Sequence, residues 1–589
     1  MDLHRSFRRC GLPVAAALCV AFPLAQAQDR APELPSGWTP KKAVETRHAM
    51  VAAANPLAVA AGHDILAQGG TAVDAAIAVQ MVLNLVEPQS SGIGGGAFML
   101  FHNGRSGLIT AYDGRETAPS AARPDRFLDA EGKPLGFHAA VVGGRSVGVP
   151  GTLRMLELAH RQYGRLPWAK LFDAAIGLAE RGFAVSPRLH VAIEGERFLT
   201  QDRTRAYFFN ADGTPLAVGQ TLKNPAFAAT LKAIAADGAD AFYKGAIARD
   251  IVETVRSHPT NPGDITEADL AGYKAKVREP VCGRYRVYKI CGMPPPSSGG
   301  VTVLEMLGLL ERFDLRALGA ESLISVHLFG EAGSLAYADR IYLADPDFVP
   351  ATPGLLDPTY LSERSALIRL DASLGRVKPG TPPARPAEGR KAARAGFGSG
   401  EALEFPSTSH ISIVDKYGNA VAMTTTIEDV FGSRLMTRGG FMLNNELTDF
   451  SFLPSSGGRP VANRVEAGKR PRSAMAPTIV YDAKGKVYMV AGSPGGSAII
   501  NYVAKTLIGV LDWDLDPQAA IDLPNVGSRN GPIELEKDTA AVALAPKLQA
   551  LGHETRVMVH TSGLQAIVRS RTGWIGGADP RREGAVAGD

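Results

Sequence analysis

Thr408 stands where a loose segment meets a strand, and that position suits a nucleophile. A threonine hydroxyl there can attack the carbonyl of Ser407, form an ester and lose the upstream chain to water. The freed α-amino group becomes the base nearest the hydroxyl, with a pKa of about 7.7–8.0, close to ideal for proton transfer near neutral pH. This is the N-terminal-amine form of an activated nucleophile. Taken alone, a threonine at a strand start is as a rule structural, because threonine favours strands. Other groups extend the pattern. Ser493-Pro494-Gly495-Gly496 precedes an apolar helix, and glycines at a helix N-terminus present backbone N–H groups to an oxyanion. Arg115, in Asp113-Gly114-Arg115-Glu116, offers a bidentate fork to a carboxylate. Glu446 and Asp449, in Asn444-Asn445-Glu446-Leu447-Thr448-Asp449, offer acceptors to an ammonium. Each of these alone also reads as a turn or a surface charge.

The elements that must position these groups are legible in part. Thr71 with Asp74 opens an apolar helix from Asp74 to Val86, and Ser91 to Gly96 is a glycine loop entering the strand Ala97 to Phe101. That loop follows a helix and leads into a strand, the reverse of a dinucleotide fingerprint. Helices are expected over Leu153 to Tyr163, Trp168 to Arg181, Val301 to Phe313 and Leu323 to Tyr342. Pro379 to Gly400 has no hydrophobic period and reads as a flexible surface segment. A hairpin follows it directly, Ser409 to Val414 and Ala420 to Ile427. A second hairpin, Thr478 to Tyr481 and Val487 to Gly492, runs into the glycine pair and a helix from Ala498 to Leu511. Strands flanked by large apolar helices imply layered sheets between helix layers.

The 589-residue chain is 45% apolar and 21% charged, ordinary for a protein with a large buried core. Arg5, Arg8 and Arg9 against Asp2 contribute half of the formal net charge of +4, and no basic stripe with aromatics points to nucleic acid. The same arginines, the apolar run Leu12 to Leu24 and Ala25-Gln26-Ala27 read as a secretory signal cut after Ala27, which predicts a periplasmic or secreted product with no membrane anchor. Residues 28 to 45 read as an unstructured leader. Cys282 and Cys291 then remain, and either a disulfide or two free strand thiols fits their setting. No His pair accompanies them, and no H-E-x-x-H or EF-hand loop occurs, so neither a metal nor a cofactor is expected.

Taken in order, the blocks Gly94-Gly95-Gly96, Asp113 to Pro119, Tyr337 to Arg340, Thr408 to Ser412, Leu443 to Phe450, Lys469 to Met475, Pro477 to Val480 and Gly492 to Ser497 resemble the gamma-glutamyltranspeptidase family of N-terminal nucleophile hydrolases. The resemblance implies an α+β fold, a four-layer αββα sandwich formed by two chains cut from one precursor. It implies a large subunit, 28–407, and a small one, 408–589, that stay together as a heterodimer. It makes Thr408 the nucleophile, Thr426 its supporting hydroxyl, and Gly495 and Gly496 the oxyanion hole. It places a substrate α-carboxylate on Arg115 with help from Ser473, and an α-ammonium on Glu446 and Asp449. The implied activity transfers the γ-glutamyl group of glutathione or related amides to water or to an amine acceptor. Two departures stand out: Glu428 replaces an Asn near the amino group, and Ala474 replaces a second Ser. The stretch Ser451 to Gly468, matching the lid loop, is short and has no aromatic beyond Phe452. The alternatives are a glutaryl-type cephalosporin acylase of the same superfamily and a binding protein that no longer cuts itself.

Overall fold

The computed structural model describes residues 35–349, 354–383, 396–400 and 407–589. The expected secretory segment and the middle of the Pro379–Gly400 stretch lie outside the described residues. Two seven-stranded sheets form the centre. In one, the strands run in the order Ala585–Gly588, Met50–Ala53, Ser407–Val414, Ala420–Glu428, Gly96–His102, Ile109–Gly114 and Lys276–Arg278. In the other they run Val44–Thr46, Trp574–Ala578, Gln565–Arg569, Val487–Gly492, Thr478–Tyr481, Tyr288–Gly292 and Val281–Tyr285.

Side-chain alternation decides how the layers stack. On the central hairpin Ile411, Ile413, Val421 and Met423 join one apolar cluster with the helices Pro56–Ala67 and Ala72–Val86. Val414, Ala420 and Ala422 join a second cluster with the other sheet and the helices Gly299–Leu310, Leu323–Asp339 and Ile499–Leu511. Successive side chains of a strand point to opposite faces, so both faces of this hairpin are buried. The result is the αββα sandwich. The even-numbered face turns polar toward one end, where Thr408, His410, Ser412, Thr424 and Thr426 replace the aliphatic residues. Ser412 reaches across the gap and donates to the Gln565 carbonyl at 3.2 Å, while His410 has Thr424 and Ser412 of its own sheet at 2.8 and 3.0 Å.

Local signals behave as their chemistry demands. Thr71 and Asp74 form a reciprocal capping box on Ala72–Val86. The hairpin turn is held by Asp415, whose carboxylate accepts from Tyr417 and Asn419 N–H at 2.9 Å each and from Ala72 N–H, at the start of that helix, at 2.8 Å. Cys282 and Cys291 are opposite one another on a hairpin and are joined as a disulfide, which decides between the two readings left open. Some expectations shift. Val44–Thr46, expected in the unstructured leader, pairs with Trp574–Ala578 as an edge strand. Trp168 to Arg181 divides into the 3-10 turn Trp168–Phe172 and the helix Asp173–Arg181. The helix after the glycine pair begins at Ile499, preceded by the 3-10 turn Gly496–Ala498. Among the described residues no helix is long and apolar enough to cross a membrane.

Candidate active site

Thr408 is buried and peptide-linked to Ser407 within the strand Ser407–Val414. The pairing jogs there: Ser407 opposes Glu428 while Thr408 opposes Thr426, which leaves Ile427 as a bulged residue. The jog carries Glu428 into the left-handed region, φ 77°. It also brings the Thr426 hydroxyl against the Ser407–Thr408 peptide. Thr426 Oγ1 accepts from Thr408 Oγ1 at 3.2 Å and from Glu428 N–H at 2.9 Å, and donates to the Ser407 carbonyl oxygen at 2.8 Å. With both acceptor positions taken, its proton is aimed at the carbonyl that Thr408 would attack. Ser407 is held in turn, its hydroxyl donating to the Gln89 carbonyl at 2.6 Å. His410, two residues on, offers no base. Burial pushes its pKa down to about 3, and both ring nitrogens are engaged.

A small cavity of about 20 Å³ opens beside Thr408. Its lining includes Thr426, Gly496, Arg115, Glu428, Glu446, Asp449 and Ser473. Every residue singled out from the sequence is therefore here except Gly495, the neighbour of Gly496. Gly495 must be glycine: its φ is 137°, and a Cβ would sit 2.5 Å from Tyr502 Cε2. The pair leads through Gly496–Ala498 into Ile499–Leu511, whose N-terminal end carries partial positive charge. The glycine loop before Gly96–His102 is explained by contact too, since a Cβ on Gly95 would lie 2.0 Å from the Thr426 carbonyl oxygen.

The charged groups pair with one another. Arg115 donates from one η nitrogen to Glu446 and from the other to Asp449, and its remaining bonds reach the Pro471 and Arg472 carbonyls at 3.2 and 3.0 Å. Groups assigned to opposite ends of a substrate thus bond to each other across the cavity, because buried polar groups need partners. Acid remains in excess. Burial pushes the Glu116 and Glu446 carboxyls up to about 8, with Arg115 opposing in each case. Glu428 is raised well above its ordinary value, first by burial and then by Asp449, Asp429 and Glu446. Asn445 donates to its carboxylate. Burial works against the Arg115 charge, but Glu446 and Asp449 outweigh it and hold its pKa above the ordinary value.

Two residues that hold the site, Arg582 and Asn463, were not singled out from the sequence. Arg582 donates to the Thr408 carbonyl at 3.1 Å from the C-terminal end of the chain. Asn463 donates to the Asp449 carbonyl at 2.7 Å and accepts from Arg472 N–H at 2.9 Å, tying the two flanks of the site together. Phe452 stacks on Phe127 at 4.7 Å between centroids. No local pattern in the sequence signals the Arg582 and Asn463 contacts.

The family model described as gamma-glutamyltranspeptidase matches residues 58–589. A protein named glutathione hydrolase proenzyme, from Bacillus subtilis (strain 168), is 37% identical over 567 residues, covering 94% of each chain. The chain belongs to the gamma-glutamyltranspeptidase family. Within that family, one named relative is an acylase: Acylase ACY 1 proenzyme from Pseudomonas sp. (strain SE83) is 36% identical over 550 residues, covering 91% of this chain and 93% of the other. The solved cephalosporin acylase from Bacillus halodurans superposes with a TM-score of 0.80 at 27% identity, covering 94% of this chain and 98% of that one. For this gamma-glutamyltranspeptidase-family chain the two departures matter because Glu428 and Ala474 both line the Thr408 cavity.

Proposed function

We propose that the chain cuts itself between Ser407 and Thr408 and then transfers γ-glutamyl groups, from glutathione or related amides, to water or to an amine. In the first step Thr408 Oγ1 attacks the Ser407 carbonyl carbon while the Thr426 hydroxyl, 2.8 Å from the carbonyl oxygen, supports the negative charge that develops there. The C–N bond breaks, the nitrogen takes up the proton lost by the hydroxyl, and water hydrolyses the ester that results. Residues 28–407 and 408–589 remain associated through the shared sheet. Thr408 then carries a free amine beside its hydroxyl. That amine takes the hydroxyl proton as Oγ1 attacks the γ-carbonyl of the donor, and returns it to the leaving amine. The N–H groups of Gly495 and Gly496 hold the oxyanion. A water or amine acceptor, deprotonated by the same group, releases the glutamyl group.

The observation that carries this reading is the charge pattern around Thr408. The Arg115 guanidinium faces Glu446, Asp449 and Glu116 in a buried site whose cavity Glu428 also lines. A zwitterionic amino-acid head fits it: its carboxylate takes Arg115 with Ser473, and its ammonium takes Glu446 and Asp449. A glutaryl group brings no ammonium to these acids, and that disfavours the acylase alternative despite the acylase relatives. The N-terminal segment 1–27 fits export to the periplasm or beyond.

Intact mass of the purified protein tests processing: the expected products are residues 28–407 and 408–589, and a single uncut chain without activity defeats the proposal. Rates on γ-glutamyl and glutaryl anilides test the head group, and equal rates would show that the ammonium contributes nothing.

A further inference from the structure

Away from Thr408, three metal-ligating side chains converge in the interior. His327 and Glu331 lie one turn apart on the helix Leu323–Asp339, on the same face, and His553 comes from the connection before the strand Thr555–Met558. All three are buried, and one ligand atom from each lies within 4.8 Å of the others. Each is held by a further group. His327 Nε2 is 2.6 Å from the Arg369 carbonyl oxygen. A carbonyl only accepts, so Nε2 carries the proton and Nδ1 presents its lone pair to His553 Nε2, 2.6 Å away. Glu331 accepts from Leu374 N–H at 2.9 Å and from the Ser373 hydroxyl at 3.1 Å, and lies 3.7 Å from His553 Nδ1. Carbonyl-backed imidazoles and hydrogen-bonded carboxylates are how proteins orient metal ligands. Among the described residues the partners of Glu331 are a hydroxyl, an amide and imidazoles, none of them a guanidinium or an ammonium. A cation placed there offsets the burial of its carboxylate.

We propose that His327, Glu331 and His553 form a binding site for a transition-metal dication, with Zn²⁺ the ion best suited to two imidazoles and a carboxylate. On binding, the hydrogen bond between the rings opens. Each ring gives the ion a lone pair and keeps one N–H, His553 by carrying its proton on the nitrogen that does not ligate. The site fastens Leu323–Asp339 to the C-terminal part of the chain, where Ser373 N–H already donates to the Leu551 carbonyl at 2.7 Å. If the chain is cut before Thr408 as proposed above, two ligands belong to one product and the third to the other, so the ion clamps the two chains. That role rests on processing, whereas uptake of the ion does not.

Tag-free wild-type protein and the Thr408→Ala chain, both stripped with chelator, should each take up one equivalent of Co²⁺ with visible d–d bands. One equivalent of Zn²⁺ should displace it, and either ion should raise the melting temperature. His327→Ala and His553→Gln should abolish the bands, and Ser373→Ala should weaken uptake about tenfold. The proposal is overturned if the folded wild type and Thr408→Ala chains take up less than one equivalent, or if the bands survive in His553→Gln. Because Thr408→Ala cannot cut itself, this outcome stays separate from that of the processing experiment.

Discussion

Thr426→Val removes one hydroxyl and keeps a β-branched side chain in a buried strand, where its shape is accommodated. Three hydrogen bonds are lost, and they act on different quantities. The 2.8 Å bond to the Ser407 carbonyl is the one that strengthens as charge builds on that oxygen. Removing a donor of this kind costs about 2.7–4 kcal/mol of barrier, a slowing of about 10²–10³ in self-cleavage. The 3.2 Å bond from Thr408 orients the nucleophile and contributes less. The unpaired Glu428 N–H weakens the fold by about 1–3 kcal/mol, which appears in the melting temperature and not in the rate. Cell-free synthesis followed by a gel time course reads the cleavage rate, and circular dichroism confirms folding. Thr426→Ser, which keeps the hydroxyl, should recover most of the rate. A Thr426→Val chain that matures as fast as wild type would refute the assignment of Thr426 as the donor to the scissile carbonyl.

Other consequences are as direct. Glu446→Gln or Asp449→Asn should raise KM for a γ-glutamyl anilide about 10- to 150-fold, the worth of a charge-assisted hydrogen bond, and leave a glutaryl anilide little affected; initial-rate kinetics on both donors check it. The Glu446 carboxyl, pushed up to about 8, is neutral below that pH and charged above it, so KM for the γ-glutamyl donor should fall as pH rises toward 8, by up to about tenfold per unit. In the ligand-free protein the sign reverses. Glu116 and Glu446 ionise near 4.5 when unfolded and near 8 when folded, so their stabilising contribution is whole below 4.5 and is lost as pH rises through 8, which denaturant melts across that range will show. Gly495→Ala drives a methyl into Tyr502 and strains φ; it should lower kcat about 10²-fold or more, and unchanged turnover in a folded variant would remove the glycine pair from the oxyanion role.

What the sequence disclosed was local. The capping box at Thr71 and Asp74, the two hairpins and the glycine pair before a helix are each written within about twenty residues, and each is found in place. What it withheld was long-range. Arg115 reaches Glu446 and Asp449, 331 and 334 positions away, and periodicity says nothing about contacts at that distance. The sequence could therefore assign these groups to a ligand but not show that they would pair with one another. The same limit hid Arg582, which touches Thr408 from 174 positions downstream, and His553, which meets His327 across 226. Val44–Thr46 failed for another reason: three residues carry too little alternation to announce a strand, and only the waiting edge of Trp574–Ala578 makes them one.

The Asp415 turn also acts as a ruler. It pins one end of the hairpin to the start of Ala72–Val86, and Thr408 lies at the other end of a strand that alternates faces without interruption from Val414. The count between them is a matter of parity as well as length. An even number of inserted residues would move Thr408 along the gap between the sheets, while an odd number would turn it into the helix layer, away from every partner described above. This chain can therefore tolerate insertions in the turn itself far more readily than in the seven steps that follow Thr408.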